Sequence, residues 1–392
     1  MTGPLDGLVI LDLTRILAGP TCTQLLGDLG AEVLKIENPK SGDDTRGWGP
    51  PFAMAPDGGR TDLSAYFMSS NRNKKSVAVD LTTEDGQQAI RALAARADVV
   101  IENFKPGGLV KYGLDHETLL AAHPGLVYCS ITGFGQTGPN RDKPGYDLMA
   151  QGYGGIMSIT GEAGREPMKV GVGVADVVCG LYAAVGILSA LRHRDATGEG
   201  QHIDLALVDA TFAWLVNQGL NYLTSGVAPT RAGNAHPNIV PYQVFAASDG
   251  YVIVAVGNDG QFARFCDFLG RPDWAEDVRF ASNTARIAHR EVLVPMIAEA
   301  LSQMPKGRVV DGLEARKVPV GPVNTIDQAL ESDQAQARGM TIEMPAPQTA
   351  GGAVRLLGNP LKFSGTPVGY RNAPPSLGAD TEAVLTALRT TK

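Results

Sequence analysis

The sequence predicts an α/β protein, with a doubly wound, Rossmann-like parallel sheet as the large domain and a smaller α/β domain after it. Three observations lead there. Over the first 135 residues short β-branched runs alternate with amphipathic stretches, the pattern of parallel strands covered by helices. A polar, proline-bearing stretch around residues 224–238 then interrupts the chain before a second strand-and-helix pattern. The length, 392 residues, also exceeds one typical domain of about 100–200 residues.

Taken in order, Leu8 to Leu13 reads as a strand, Pro20 to Leu29 as a helix closed by Gly30, and Glu32 to Ile36 as the next strand. Val77 to Leu81, Val99 to Glu102 and Val127 to Ile131 add three strands, with helices over Thr83 to Ala95 and His116 to Ala122 between them. After a glycine-rich patch, Val178, Leu181, Val185, Leu188 and Leu191 recur at steps of three and four, predicting a long helix that begins beside Asp176. It ends at Arg192, His193 and Arg194, cations that suit the negative helix terminus. Beyond the Asp249-Gly250 turn, Tyr251 to Val256 reads as a strand, and Gln261 to Leu269 and Thr284 to Met304 as helices. The expected domains are 1–200, a linker at 201–225, a small domain at 226–325, and a segment at 326–392 returning to the large one. Within that last segment the Gly- and Pro-rich stretch from Pro347 to Pro375 is expected to wrap over a surface, its own or a partner's.

Composition excludes several functions. Lys and Arg total 34 against 41 Asp and Glu, a net charge of -7 with no long run of either sign, so the broad basic face needed for nucleic acid is missing. Apolar stretches read as broken before the roughly 18 residues of a membrane span, and the opening MTGPLDG has neither the basic region nor the apolar core of a signal peptide. A cytoplasmic protein without a membrane partner is expected. Cys22, Cys129, Cys179 and Cys266 lie far apart with no CxxC, and the six histidines form no HExxH, so neither a metal site nor a disulfide framework is expected.

The usual nucleotide and hydrolase signatures are absent. No GK dipeptide occurs, which removes a Walker-type phosphate loop. Gly171-Val172-Gly173 lacks the third glycine of a dinucleotide loop, and no GxSxG elbow is present. What stands out is Asp176, delivered by Gly171-Val-Gly-Val-Ala into the start of the long helix. Unpaired N–H groups and the positive dipole there would keep a carboxylate ionised and stabilise an oxyanion beside it. A plain helix cap is the alternative reading of the same residue.

The blocks PLDGLVILDLTRILAGPTCTQLLGDLGAEVLKIENPKSGDDTRGW, NRNKKSVAVDL, VIENFKPGGLVKYGL, SITGFGQTGP, the GVAD segment and TGEGQHIDLALVDA, followed by HPNIVPYQVFAASDGYVIVAVGNDGQF, VPVGPVN and RNAPPSLG, together resemble the class III CoA-transferases, the family of formyl-CoA and carnitine-CoA transferases. The likeness runs over nearly the whole chain. GDDTRGWGPP, GYDLMAQG, HPNIVPYQ and the GND-Gln261-Phe262 segment look most like the branch that passes CoA from succinyl-CoA to glutarate.

The resemblance implies that Asp176 is the nucleophile. It would take the acyl group as a mixed anhydride and then CoA as a thioester, with acyl-CoA and carboxylic acids as the partners and no permanently bound cofactor. It implies CoA contacts at Arg15, Leu17, Ala18, Arg72, Asn73, Lys74, Lys75, Asn103, Phe104, Lys105 and Lys111. It also implies an interlocked homodimer. The Arg72-Asn73-Lys74-Lys75 run reads on its own as a solvated turn and, inside the matched block, as a phosphate contact. Arg46 and Trp48 lie in the GDDTRGW loop, where Arg46 is a candidate clamp for an acyl carboxylate or the partner of Asp43 or Asp44. Arg231 is the second candidate clamp. His236, in the Ala235 to Asn238 stretch, is expected to border the acyl pocket or to form a turn. Leu17 replaces a glutamine of the formyl enzyme, which argues against formate and oxalate as acceptors and for a dicarboxylate such as glutarate or itaconate. Tyr146 takes the position of the histidine that the racemases of this fold use as acid/base, and a phenol with a pKa near 10 is a poor proton acceptor at pH 7. A racemase, and a noncatalytic acyl-CoA-binding protein in which Asp176 is only a cap, are the rival readings.

Overall fold

The computed structural model describes residues 3–390. They form two compact units, the first built from residues up to Ile156, Lys169–Val227 and residues from Asp333 on, the second from Met157–Met168 and Ala228–Ser332.

The first unit is organised by six parallel strands, β1 (Val9–Asp12), β2 (Glu32–Glu37), β3 (Lys74–Ala78), β4 (Val99–Glu102), β5 (Val127–Thr132) and β6 (His202–Ala206), in the spatial order β3-β2-β1-β4-β5-β6. This is the doubly wound order, and it reverses between β1 and β4. Helix α1 (Ala18–Asp28) carries Pro20 in its first turn, where a missing N–H costs nothing. Helix α2 (Glu84–Ala94) is capped by Thr83, whose side chain accepts from Gly86 N–H, with Glu84 and Asp85 in the favourable first turn. Helix α3 (His116–Ala122) is capped in the same way by Asp115. Helix α4 (Asp147–Tyr153) precedes the long α5 (Val174–Thr197). Apolar side chains pack on both faces of the sheet. Ile10, Val33, Val99 and Val127 join Cys22, Cys129 and Cys179 on one side; Leu11, Leu34, Val100 and Tyr128 lie on the other.

Several expectations are corrected. Strand β3 starts at Lys74 and ends at Ala78, three residues before the predicted span, because the buried Lys74 ammonium is neutralised by Asp12 and a polar residue hides the strand's true start. The expected linker at 201–225 instead contains β6, paired with β5, and helices α6 (Leu207–Ala213) and α7 (Val216–Ser225) of the first unit. Strand β6 is short and half exposed, so its apolar signal is weak. Residues 157–168 belong to the second unit. Helix α5 is long and apolar enough to cross a membrane by length and composition, contrary to the reading of broken apolar runs; half of its most apolar window is buried, and it packs on α1.

The second unit holds a three-stranded antiparallel sheet, β7 (Tyr242–Ala247), β8 (Gly250–Ala255) and β9 (Val320–Pro322), around Phe245, Val252, Phe262, Phe265 and Ile297. The helix expected over Thr284 to Met304 is two, α8 (Asn283–Ala288) and α9 (Arg290–Ser302), broken at His289. In the returning segment β10 (Thr341–Pro345) and β11 (Ala353–Leu357) pair as a hairpin in the first unit. Beyond it, Arg371 donates to the carbonyls of Gly27 and Ala31, so this stretch lies over its own chain.

Candidate active site

The carboxyl ends of β1 and β4, on either side of the reversal, open onto a cleft of about 370 Å³, the place where doubly wound sheets take ligands. The two walls are tied to each other. Arg15 N–H donates to Asn103 Oδ1 at 3.0 Å, and Asn103 Nδ2 donates to the Arg15 carbonyl at 2.8 Å. Ile16 has φ of 73°, a left-handed conformation that is costly for a β-branched side chain and persists only where its surroundings enforce it. Here the enforcer is Asp43, whose carboxylate accepts from Ile16 N–H at 3.2 and 3.3 Å. Lys35, buried, holds both Asp43 (2.8 Å) and the Thr14 carbonyl (2.9 Å). Burial pushes the Asp43 carboxyl up, but the Lys35 ammonium and Thr45 outweigh it and bring the pKa down to about 2.

Asp176 lines this cleft from the first turn of α5. Its approach depends on Gly180, where a Cβ would sit 2.5 Å from the Ala18 carbonyl oxygen, so only glycine lets α5 lie this close to α1. Asp176 is not the cap. Gly173 occupies the N-cap position and makes no side-chain bond. The capping acceptor comes from α4, where Asp147 Oδ1 takes the N–H of Ala175 at 2.8 Å and that of Asp176 at 3.4 Å. Asp147 Oδ2 in turn accepts from Gln151 at 2.6 Å. Among the described residues none donates to the Asp176 carboxylate. Burial, and then the negative charge of Asp147, raise its pKa to about 7, which corrects the expectation that the helix start would hold it firmly ionised. A carboxyl group buried without a donor in a cleft wall, its titration shifted by desolvation and a neighbouring charge, is the kind of group that marks a functional site.

The structure brings Arg15, Leu17, Ala18, Asn103, Phe104, Lys105, Tyr146 and Asp176 into the cleft lining. Arg15 is half exposed and pairs with Asp44 at 2.7 Å. Lys111 stays outside that lining, its ammonium 4.6 Å from the centre of the Tyr112 ring. Trp48 meets Tyr66 edge-on, ring centres 5.1 Å apart. The Tyr66 hydroxyl is pushed up by burial and by Asp176, Asp147 and Asp43, which places it toward the same acidic corner.

Other residues expected at the ligand have their side chains engaged elsewhere. Arg72 holds Asp28 through two bonds, 2.9 and 2.5 Å, and donates to the Leu357 carbonyl. Asn73 donates to Asp28 and to the Gly369 carbonyl, and Lys74 is spent on Asp12, Asn71 and the Pro20 carbonyl. All three side chains are buried. Burial brings the Lys74 ammonium down to about 8 despite Asp12. Lys75 pairs with Glu32 on the neighbouring strand. None of the four lines the cleft: the buried carboxylates of Asp28 on α1 and Asp12 on β1, and the exposed one of Glu32 on β2, take the charges that the sequence offered as phosphate ligands. Arg46 is likewise committed, to Glu37 at 2.8 and 2.7 Å, to Asp62 at 2.7 Å and to the Pro375 carbonyl; its partners are neither Asp43 nor Asp44. In the second unit Arg231 donates to the carbonyls of Ser158, Glu162 and Arg165, clipping 157–168 to that unit. His236 Nδ1 accepts from Asn238 N–H at 3.1 Å, the turn reading of that stretch.

Lys143, Asp147 and Tyr66 went unnoticed in the sequence. Lys143 lines the cleft three residues before Tyr146, and its position next to the GYDLMAQG block was the available signal. Among the described residues no cluster of His, Cys, Asp and Glu is arranged to hold a metal ion.

Comparison with known proteins adds to this geometry. The family model for CoA-transferase family III matches residues 5–381. The chain is 48% identical to the succinate–glutarate CoA-transferase of Agrobacterium fabrum, covering 99% of this chain and 96% of that protein. It is 39% identical to the succinyl-CoA:glutarate CoA-transferase of Homo sapiens, covering 97% and 85%. A solved CAIB/BAIF family protein from Brucella suis superposes with a TM-score of 0.88 at 49% identity, covering 99% of this chain and 100% of that one.

Proposed function

Because the chain belongs to the CoA-transferases of family III, we propose that it passes CoA from succinyl-CoA to glutarate through an aspartyl-CoA thioester on Asp176. The observation that carries this reading is the Asp176 carboxylate itself, buried in the wall of the cleft with no donor among the described residues. The substrate pair rests on the activities named for the Agrobacterium and human relatives.

An Asp176 oxygen attacks the succinyl thioester carbonyl. The new C–O bond gives a mixed anhydride as the C–S bond breaks and CoA leaves as thiolate. The thiolate then attacks the aspartyl carbonyl, forming the enzyme thioester and releasing succinate. Glutarate attacks that thioester and expels CoA thiolate, leaving an aspartyl–glutaryl anhydride. Attack of the thiolate on the glutaryl carbonyl gives glutaryl-CoA and restores the Asp176 carboxylate. One thioester replaces another, so no ATP enters, consistent with the missing phosphate loop.

Asp147 fixes the first turn of α5 and so aims Asp176, and orientation of this kind is a large part of what an enzyme contributes to such an exchange. Lys105 and Lys143 are the ammonium groups of the cleft, suited to the CoA phosphates. Leu181, Tyr182, Val185 and Leu188 leave one side of α5 apolar and exposed, which supports a homodimer. Light scattering in solution tests that. The activity is tested by offering succinyl-CoA with glutarate, itaconate, mesaconate, oxalate or butyrate and identifying the CoA products by mass spectrometry. Glutaryl-CoA as the preferred product supports the reading, and preference for butyrate removes the dicarboxylate part of it.

A further inference from the structure

Beside the cleft, under the turn at Lys105 to Val110, lies a second cavity of about 140 Å³ whose floor includes Glu102, Tyr128 and Ser130. Glu102 ends β4 at the reversal of the sheet and is only 5% exposed. The Phe104 amide donates to Glu102 Oε2 at 2.7 Å, and Phe104 is part of the cleft lining. On β5, Ser130 is the register partner of Glu102. Ser130 Oγ lies 3.0 Å from His202 Nε2 of β6. The His202 ring stacks on His116 of α3, centres 3.8 Å apart and planes 11° apart, with Tyr128 edge-on to both. Three adjacent strands and one helix thus support one carboxyl group, and that group grips the turn.

We propose that Glu102 is a positioning residue of the acyl-CoA cleft, its carboxyl holding the Asn103–Gly108 turn in the shape that binds the CoA moiety, with Ser130, His202 and His116 as its backing. This rests on the CoA-transferase reading of the cleft. A hydrogen bond to an ionised acceptor is stronger than one to a neutral acid, so the charge state of Glu102 sets how firmly Phe104 is held. The turn cannot shift alone, since Asn103 is bracketed to Arg15 on the opposite wall.

The surroundings leave that charge state open. No cation among the described residues forms an ion pair with Glu102. The groups facing it or its neighbours are Lys105 on the turn, Asp115, His116 and Glu117 at α3, Tyr128 and Ser130 on β5, and His202 and Asp204 on β6. Burial raises the Glu102 carboxyl to about 7, against the pull of Ser130 and the Phe104 amide. Burial, with His116 beside it, lowers His202 to about 4 and keeps it neutral. The Glu102 carboxyl therefore changes charge near neutrality, and its grip weakens as the pH falls through about 7.

The test uses full-length Glu102→Gln and Glu102→Ala enzymes beside the wild type. The readouts are calorimetric Kd for free CoA and KM and kcat for succinyl-CoA from pH 6 to 9, with melting temperature as the control. Glutamine keeps an acceptor for Phe104 but cannot titrate. The expected result is a CoA Kd and a KM about tenfold weaker in Glu102→Ala at pH 8, with a much smaller change in kcat. Glu102→Gln should recover most of the loss, and the part of the wild-type CoA affinity that declines below pH 7 should be absent from it. An unchanged CoA Kd in a folded Glu102→Ala enzyme overturns the proposal, as does a Glu102→Gln enzyme whose Kd keeps the full wild-type pH dependence. A Kd that responds as expected in a protein without succinyl-CoA:glutarate exchange supports the proposal while removing the substrate assignment.

Discussion

Asp147 Oδ1 accepts the amide protons of Ala175 and Asp176, so one carboxylate caps the helix that presents another. The arrangement does two opposed things. It orients Asp176, and through like charge it works with burial to raise the Asp176 pKa to about 7. Asp147→Asn keeps the Oδ1 acceptor while removing the charge, although its amide then meets Gln151 Nε2 and costs about 1 kcal/mol. The acid limb of kcat/KM should stand near pH 7 in the wild type and move to lower pH in Asp147→Asn. A shift of about half a unit would raise the ionised fraction at pH 6 about threefold. An unmoved limb counts against Asp147 as the tuning charge.

The same raised pKa has a consequence for stability. A carboxyl whose pKa goes up on folding stabilises the fold fully below its unfolded value, near 3.8, and that contribution is lost as the pH rises through about 7. The shift corresponds to an order of 2 to 4 kcal/mol. Asp176→Asn should therefore be inactive yet melt a few degrees higher than the wild type at pH 8, with the difference shrinking toward pH 4. Equal melting temperatures at pH 8 would mean that Asp176 is not held in a desolvated place.

Buried and cleft cations should separate cleanly. Arg46→Ala strands Glu37 inside the unit and Arg72→Ala strands Asp28, each at about 3 to 5 kcal/mol. Melting temperature and soluble yield should fall, while the glutarate-to-butyrate preference of surviving enzyme should not change. Lys105→Ala and Lys143→Ala should melt like the wild type and raise KM for acyl-CoA about tenfold, the worth of one charge-assisted bond. Wild-type KM in both lysine variants would place the CoA phosphates elsewhere.

Which parts of this were legible in the sequence follows from what each residue is paired with. Strands β1, β4 and β5 are mainly apolar runs buried on both faces, and β2 buries Val33, Leu34 and Ile36 in the same way, so the sequence pattern reveals all four. Asp176 was legible from its glycine-bearing approach and from the family likeness. The fates of Arg46, Arg72 and Lys74 were not, because their partners Glu37, Asp28 and Asp12 are brought to them by sheet topology and lie up to 62 residues away in sequence. A charge cluster in sequence records the cations and says nothing of the carboxylates that the fold delivers. Asp147 was hidden for the same reason: its role as a cap exists only once α4 is set against α5.

A covalent CoA thioester at Asp176 is detected by peptide mass spectrometry of enzyme incubated with succinyl-CoA alone and quenched in acid. The expected product is a peptide containing Asp176 that carries CoA with loss of one water, absent from Asp176→Ala, which should be folded and unable to transfer. Steady turnover with no adduct under matched conditions, an adduct on a different residue, or a folded Asp176→Ala enzyme with normal turnover would contradict it.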